Sequence, residues 1–426
     1  TDSTLGCQIP VQNYGQHEGS RAESRLGLYF RSKKIVYPPL GYYPAVSILI
    51  PAHNEEKVLE KTLEAMVKLD YPGDLEILVL NDSSTDATGE IIQEYARFYR
   101  RVQHVRVPEG YPKGKARVLN HGLSVASGEL IAVYDADNQP EPNALRLLAD
   151  ACFGTEGAVG AVGYVKTINE QKNWLTRMIA IEFSVFQLLM QSGRWTSMRL
   201  GSLTGTNMLV TKEALKRVGG WDVYALAEDA DLTLKLTAIG GLLPVVPESR
   251  TWEQEPEKFS VWFRQRTRWM QGNLYLIAKI FRVKNWRRGR VLGHSIQQLS
   301  VYIMFVFFLL VSDVWFVLGE FGLVHTTFSV PLLLLWFESL LFYIVQLLSA
   351  ETIDGLISVR NIGMAVLMYF TYAQLWVILL MWAWWKQLRM RHSKAMPVWD
   401  KTRIEPHIVK TDGMAFKKEM IDLQFR

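Results

Sequence analysis

The stretch Val46-Ser47-Ile48-Leu49-Ile50-Pro51-Ala52-His53-Asn54-Glu55 decides the fold. Its first part is a short apolar, β-branched run ended by Pro51, which reads as a buried strand. Asn54 reads as the cap of a helix running to about residue 68, with Glu55 and Glu56 in its first turn, where the helix dipole favours acids. The same unit returns downstream. Residues 75–80 form a second strand ending at Asn81-Asp82-Ser83-Ser84-Thr85-Asp86, followed by a helix to about residue 100 and a strand at 102–107. Lys113-Gly114-Lys115 opens a helix carrying Asn120, and residues 130–134 make a strand ending at Asp135-Ala136-Asp137. This alternation predicts an α/β fold with a parallel sheet covered on both faces. Polar groups gather at the carboxyl ends of the strands, where such sheets bind ligands.

Further along, residues 143–153 read as a helix and 159–165 as a strand. Residues 174–191 form an apolar helix, either core or grazing a bilayer. Gly205-Thr206-Asn207-Met208 starts a strand, with a short helix at 212–218. The acidic cluster Glu228-Asp229-Ala230-Asp231 follows. A long helix over 258–279 carries Gln265, Arg268 and Trp269 on one face, because residues three and four apart are neighbours.

At 426 residues the chain is too long for one typical domain. Its composition is split: residues 1–290 are mixed and polar, whereas 293–388 are mostly Leu, Phe, Val, Ile, Met and Trp. Three apolar segments, at 300–319, 330–349 and 362–385, each have about the ~20 residues a spanning helix needs. Arg282, Lys284, Arg287, Arg288 and Arg290 precede this block, and Lys386, Arg389, Arg391 and Lys394 follow it. Basic flanks mark cytoplasmic ends, so both ends read as cytoplasmic. Three crossings would separate them; either one segment does not simply span or the second cluster breaks the rule. Glu338 makes the middle segment the odd one. The net charge of +5 gives no argument for a nucleic-acid partner. Cys7 and Cys152 form neither a zinc motif nor a disulfide framework, which suits a reducing compartment. The chain does not begin with Met and has no signal-peptide pattern, which leaves room for residues upstream, including a membrane helix. The domain plan is a tail and interfacial segment at 1–44, a catalytic domain at 45–257, interface helices at 258–292, membrane helices at 293–390 and a cytoplasmic tail at 391–426.

Asp135 and Asp137, one residue apart after a strand, bring like charges together, which a hard cation relieves. Mg2+ or Mn2+ takes few carboxylates plus phosphate oxygens. Asp82 ends a strand and can accept from a base or ribose, and Lys115 can meet phosphate. In the cluster at 228–231, Asp229 reads as a general base and Glu228 and Asp231 as helix-terminal acids. Arg268 can pair with a diphosphate, Gln265 can hydrogen-bond phosphate or sugar, and Trp269 offers a flat face on which sugars stack.

With these motifs assembled, the chain resembles the membrane-bound, processive family 2 glycosyltransferases, such as cellulose, hyaluronan, chitin and poly-N-acetylglucosamine synthases. Pro51-Ala52-His53-Asn54-Glu55 is similar to the family's Pro-x-x-Asn-Glu. Asn81-Asp82-Ser83-Ser84-Thr85-Asp86 resembles Asp-Asp-Gly-Ser-x-Asp, with Asn81 and Ser83 as departures. The run from Lys113 to Asn120 resembles Gly-Gly-Lys-Ala-x-Ala-Leu-Asn. Ala227-Glu228-Asp229 resembles Thr-Glu-Asp, with Ala227 replacing Thr, and Gln265-x-x-Arg268-Trp269 matches without departure. Trp399-Asp400-Lys401-Thr402-Arg403 resembles a gating loop. The resemblance implies a cytoplasmic glycosyltransferase-A (GT-A, Rossmann-like) domain on a transmembrane helical block in the plasma membrane. It implies inverting transfer of glucose or N-acetylglucosamine from a UDP-sugar to a growing β-linked polysaccharide, which the block conducts outward among membrane lipid, with room for accessory secretion subunits. Pro51, Asn54, Glu55, Asp82, Lys115, Asp135, Gln265, Arg268, Trp399, Thr402 and Arg403 fall on the donor side. Asp135 and Asp137 hold Mg2+ or Mn2+. Asp229 is the catalytic base, with Glu228 beside it, and Asn207 and Trp269 fall on the acceptor side. The alternatives are a non-processive enzyme making a glycolipid and, outside the enzymes, a nucleotide-binding membrane scaffold subunit.

Overall fold

The computed structural model describes residues 35–280, 289–299, 305–323 and 329–393. Its first half keeps the expected alternation: β1 (Val46–Ala52), α1 (Leu59–Met66), β2 (Leu75–Asn81), α2 (Thr88–Phe98), β3 (Val102–Arg106), α3 (Lys115–Val125) and β4 (Leu130–Val133). β1 pairs in parallel with β2 and β4, and β2 with β3. Then come β5 (Gln139–Pro140), α4 (Ala144–Phe153), β6 (Gly160–Thr167) and α5 (Trp174–Phe183), continued by a π-helical turn (Ser184–Met190) and α6 (Gln191–Met198). β7 (Met208–Thr211), α7 (Lys212–Arg217), α8 (Glu228–Ala238) and β8 (Val245–Glu253) complete the sheet domain.

The strands form one eight-stranded sheet in the order β3-β2-β1-β4-β7-β6-β8-β5. It is mixed, which corrects the expectation of a parallel sheet. The chain reaches β7 through left-handed backbone at Gly205 and Asn207 and runs antiparallel to both β4 and β6. Alternation along β1 divides the core. Ile48 and Ile50 pack with Leu63, Met66 and Leu148 on one face, while Leu49 packs with Leu119, Ile131 and Leu232 on the other. Each such fully buried side chain stabilises the fold by roughly 1.5–3 kcal/mol.

Two local expectations change. β1 runs through Pro51 to Ala52. Its pairing with β4 stops at Leu49, so Pro51 keeps only β2 as a neighbour there and its missing N–H costs no ladder bond. Asn54 does not cap a helix. It has φ 56°, and α1 begins five residues later, at Leu59.

The helical part comprises α9 (Phe259–Ile280), α10 (Gly289–Leu299), α11 (Phe305–Glu320), α12 (Ser329–Asp354), α13 (Val359–Phe370) and α14 (Tyr372–Ser393). The third apolar segment was expected as one helix. It is interrupted at Thr371 (φ −124°, ψ −72°), which divides α13 from α14. Among the described residues, the stretch Val359–Arg389 is long and apolar enough to cross a membrane. Glu338 is exposed beside Phe337, Leu341 and Phe342. An apolar cluster joins Ile179, Leu188 and Trp262 to Leu347, Met364 and Met368, so the helical part packs on the sheet domain. A polar latch reinforces it. Asp354 at the end of α12 accepts from Tyr164 (2.6 Å) and Ser184 (2.7 Å) and pairs with Lys166 (2.9 Å).

Candidate active site

The loops after β1 and β2 are laced together at the sheet's carboxyl edge. The Asn54 side-chain oxygen accepts from the Thr85 backbone amide (2.8 Å), and the Asn54 backbone N–H donates to Ser84 Oγ (3.1 Å). The Glu55 amide donates to Thr88 Oγ1 (2.7 Å) and the Glu56 amide to Asp86 (3.2 Å). Asn54 thus builds the loop, and its side-chain oxygen is already engaged. Asp82 projects from this loop and pairs with Arg117 of α3, whose guanidinium also donates to the Pro108 carbonyl (2.6 Å). Arg117 stood unremarked inside its motif; only the fold shows that it meets Asp82.

Lys115, first residue of α3, sits between the two acidic centres. Its Nζ lies 2.6 Å from Asp135 and 3.6 Å from Glu228, and donates to the Gly205 carbonyl (2.9 Å). Burial works against its charge, yet Asp135 and Glu228 outweigh it and hold the ammonium protonated, its pKa above the ordinary lysine value. Gly205, with φ 82°, is required here. The demand comes from this left-handed backbone; a Cβ would stand 3.5 Å from both the Asp229 carboxylate and Lys115 Nζ, an ordinary contact distance.

Asp229 occupies the first turn of α8, where the Ala230 amide donates to its Oδ1 (2.8 Å). Burial and then the neighbouring Glu228 push its pKa up to about 7. Asp231 is structural. It is buried and paired with Lys279 (2.5 Å) and Lys235 (3.5 Å).

Asp137 is also pushed up to about 7, by burial and then by repulsion from Glu253 and Asp135. Glu253 and Glu255, at the end of β8 and just beyond it, are raised by burial and, for Glu253, by Glu255. Two crowded carboxylates on one wall of the cavity suit a hard divalent cation. Among the described residues no group of three or more His, Cys, Asp or Glu converges on one point. Asp135 and Asp137 both line the cavity.

On α9, Gln265, Arg268 and Trp269 line the same cavity. The buried Arg268 Nε has no hydrogen-bond partner among the described residues. Gly272 sets how closely α9 approaches the acid-bearing loop. A Cβ there would fall 2.7 Å from Ala227 Cβ and 2.8 Å from the Ala227 amide.

The cavity has a volume of about 1430 Å³ and is walled by Pro51, Glu55, Asp82, Lys115, Asp135, Asp137, Glu228, Asp229, Gln265, Arg268 and Trp269. It continues past Trp269 to Tyr343, Gln346, Met368 and Trp376 of the helical part. One expected residue is corrected. Asn207 does not line it. Asn207 is fully buried, accepts from Tyr134 (3.0 Å) and donates to the Ser249 carbonyl (2.8 Å), which makes it a framework residue. Trp399, Thr402 and Arg403 lie outside the described residues. Arg266 was missed. It is fully buried beneath Gln265 and Trp269, four residues from the buried Trp262, so the helical period already placed it on the apolar face.

A family model described as "Glycosyltransferase like family 2" matches residues 44–272, more than half of the chain. The chain is 38% identical over 366 residues to "Probable glycosyltransferase YdaM" of Bacillus subtilis (strain 168), covering 84% of this chain and 86% of that protein. It is 31% identical over 232 residues to a beta-monoglucosyldiacylglycerol synthase of Synechocystis sp., covering 54% of this chain and 48% of that one. It is 28% identical over 259 residues to a poly-beta-1,6-N-acetyl-D-glucosamine synthase of Staphylococcus epidermidis, covering 61% and 60%. Among solved structures, the mannosyltransferase PcManGT from Pyrobaculum calidifontis, in complex with GDP-Man and Mn2+, matches in fold with a TM-score of 0.56 at 19% identity, covering 87% of this chain and 95% of that one. Sequence match and fold agree: the chain belongs to the family 2 glycosyltransferases and is a glycosyltransferase built on a GT-A domain with a mixed sheet.

Proposed function

We propose that the chain is an inverting, UDP-sugar-dependent transferase of a membrane surface that extends a β-linked saccharide, adding glucose or N-acetylglucosamine. One observation carries this reading: a single cavity holds the Asp135–Asp137 pair, the raised carboxyl of Asp229 and the Trp269 indole, and continues into the helical part. Asp82 and Arg117 bound the nucleoside end. Lys115 and Arg268 offer cations to the diphosphate. Asp135 and Asp137 would hold Mg2+ or Mn2+, which when bound supplies charge stabilisation to the leaving diphosphate. Asp229 takes the proton from the acceptor hydroxyl as that oxygen bonds to the anomeric carbon. The bond from that carbon to the UDP oxygen breaks, and UDP leaves with the electron pair. Attack from the face opposite the leaving group inverts the anomeric centre.

Beyond Trp269 the cavity presents Tyr343, Gln346 and Trp376, aromatic and amide groups of the kind that bind successive sugar rings. A second reading, transfer of one sugar to a lipid, is favoured by the apolar Leu347, Met368 and Ala373 in the same wall and by the likeness to the glycolipid synthase. Asp229→Asn tests the shared chemistry. UDP release should fall by about 10²–10⁴-fold while the Kd for UDP changes less than threefold. A variant that keeps its rate would remove Asp229 as the base.

A further inference from the structure

We infer that Arg266 is the positioning residue of the acceptor platform, holding Trp269 in place and tying it to the broken helix pair α13–α14 through Glu182 and Tyr372. This rests on the acceptor role proposed for Trp269. Arg266 is fully buried and does not line the cavity. Its guanidinium carbon lies over the Trp269 ring, 3.9 Å from the centroid, so Trp269 has this cation on one face while it also lines the cavity. One arm donates to Gln265 Oε1 (2.7 Å), and the other donates to Glu182 Oε2 (3.0 Å). Glu182 itself is buried on α5, two residues before the π-helical turn. The same Glu182 oxygen accepts from the Tyr372 hydroxyl, which in turn accepts from Trp262 Nε1 (3.0 Å).

Tyr372 is the first residue of α14, immediately after the interruption at Thr371. A continuous apolar helix has no need of a break here. The interruption coincides with the residue whose hydroxyl enters the polar chain Trp262–Tyr372–Glu182–Arg266. A buried ion pair is weak evidence for stability, and its better-supported use is to fix one arrangement. Here the fixed arrangement is the indole on which a sugar would stack. Displacing a substrate-positioning group by about 1 Å can cost about 10²-fold in rate.

The test uses the full chain in detergent, labelled with 5-fluorotryptophan. The Trp269 resonance is assigned by its loss in Trp269→Phe. Arg266→Lys keeps the charge beside Glu182 but lacks the flat face. Tyr372→Phe keeps the ring but removes the hydroxyl. Both variants should shift or broaden the Trp269 fluorine signal. UDP release is measured in parallel with UDP-N-acetylglucosamine and chitobiose, and with UDP-glucose and cellobiose. With the pair that the wild type uses, the variants should raise the acceptor KM about tenfold or more for Arg266→Lys, and less for Tyr372→Phe. Acceptor-free hydrolysis of the donor and the Kd for UDP should stay within twofold. An unchanged Trp269 signal in both variants overturns the inference. So does a shifted signal with a wild-type acceptor KM, or an equal loss of hydrolysis and transfer in both variants. If Arg266→Lys does not fold, Tyr372→Phe decides alone. A wild type that releases no UDP would overturn the proposed function instead, and the fluorine signal would still decide the positioning role.

Discussion

In the proposed mechanism Asp229 is the base, and its environment sets a pH signature. A general base works only when deprotonated, and burial with Glu228 alongside raises Asp229 to about 7. Activity should therefore fall as pH drops: kcat/KM declines about tenfold per unit well below pH 7 and levels off above it. In Asp229→Asn the residual rate should lack this limb, which a pH–rate profile from 5 to 9 would show. An acid limb that survives the substitution would assign the titration elsewhere. Residue roles were unevenly legible. Asp135 and Asp137 stand out because two carboxylates one residue apart at a strand end repel each other unless a cation is bound, and Asp229 because it sits in a motif that resembles the family's. Arg117 and Arg266 do not, because an arginine in a helix is usually solvated, and only the tertiary fold shows one against Asp82 and the other under Trp269. Asn207 erred the other way. The family resemblance placed it on the acceptor side, but its buried hydrogen bonds to Tyr134, Tyr164 and Ser249 serve the scaffold.

Elements set the spacing between these residues. The first-half strands and helices were legible because apolar runs of strand length alternate with amphipathic helices. The reversed direction of β7 was not, because direction depends on where a connecting helix returns the chain, not on the strand's own composition. The interruption at Thr371 was equally silent, since the residues around it are apolar on both sides. At α9 the decisive feature is Gly272 against Ala227. On an exposed helix, Gly→Ala stabilises by up to about 1 kcal/mol. Here the added methyl meets Ala227 Cβ at 2.7 Å, so the sign should reverse. Gly272→Ala should cost about 1–3 kcal/mol and lower the Tm. It should also cut kcat/KM by about 10–100-fold by moving α9 away from Ala227 and the first turn of α8, which bears Asp229, with UDP affinity within threefold. A thermal melt and a rate measurement on the same preparation check both; a raised Tm would refute the packing argument.

For the whole molecule, the cavity is the connecting feature. It opens over the carboxyl edge of the sheet, passes Asp229 and Trp269, and ends against the helical part, which is latched to the sheet domain at Asp354. A transferase that only passed sugar to a small soluble acceptor would have no use for a cavity reaching Tyr343 and Trp376. In the proposed function this passage receives the growing saccharide. The most direct measurement is the mass spectrum of products formed by the full chain in lipid vesicles with Mn2+ and one labelled UDP-sugar at a time. For one donor, a series of products spaced by one hexose or N-acetylhexosamine is expected, with UDP released in step and both absent in Asp229→Asn. A single lipid-soluble adduct bearing one sugar, whatever the donor concentration, would contradict it.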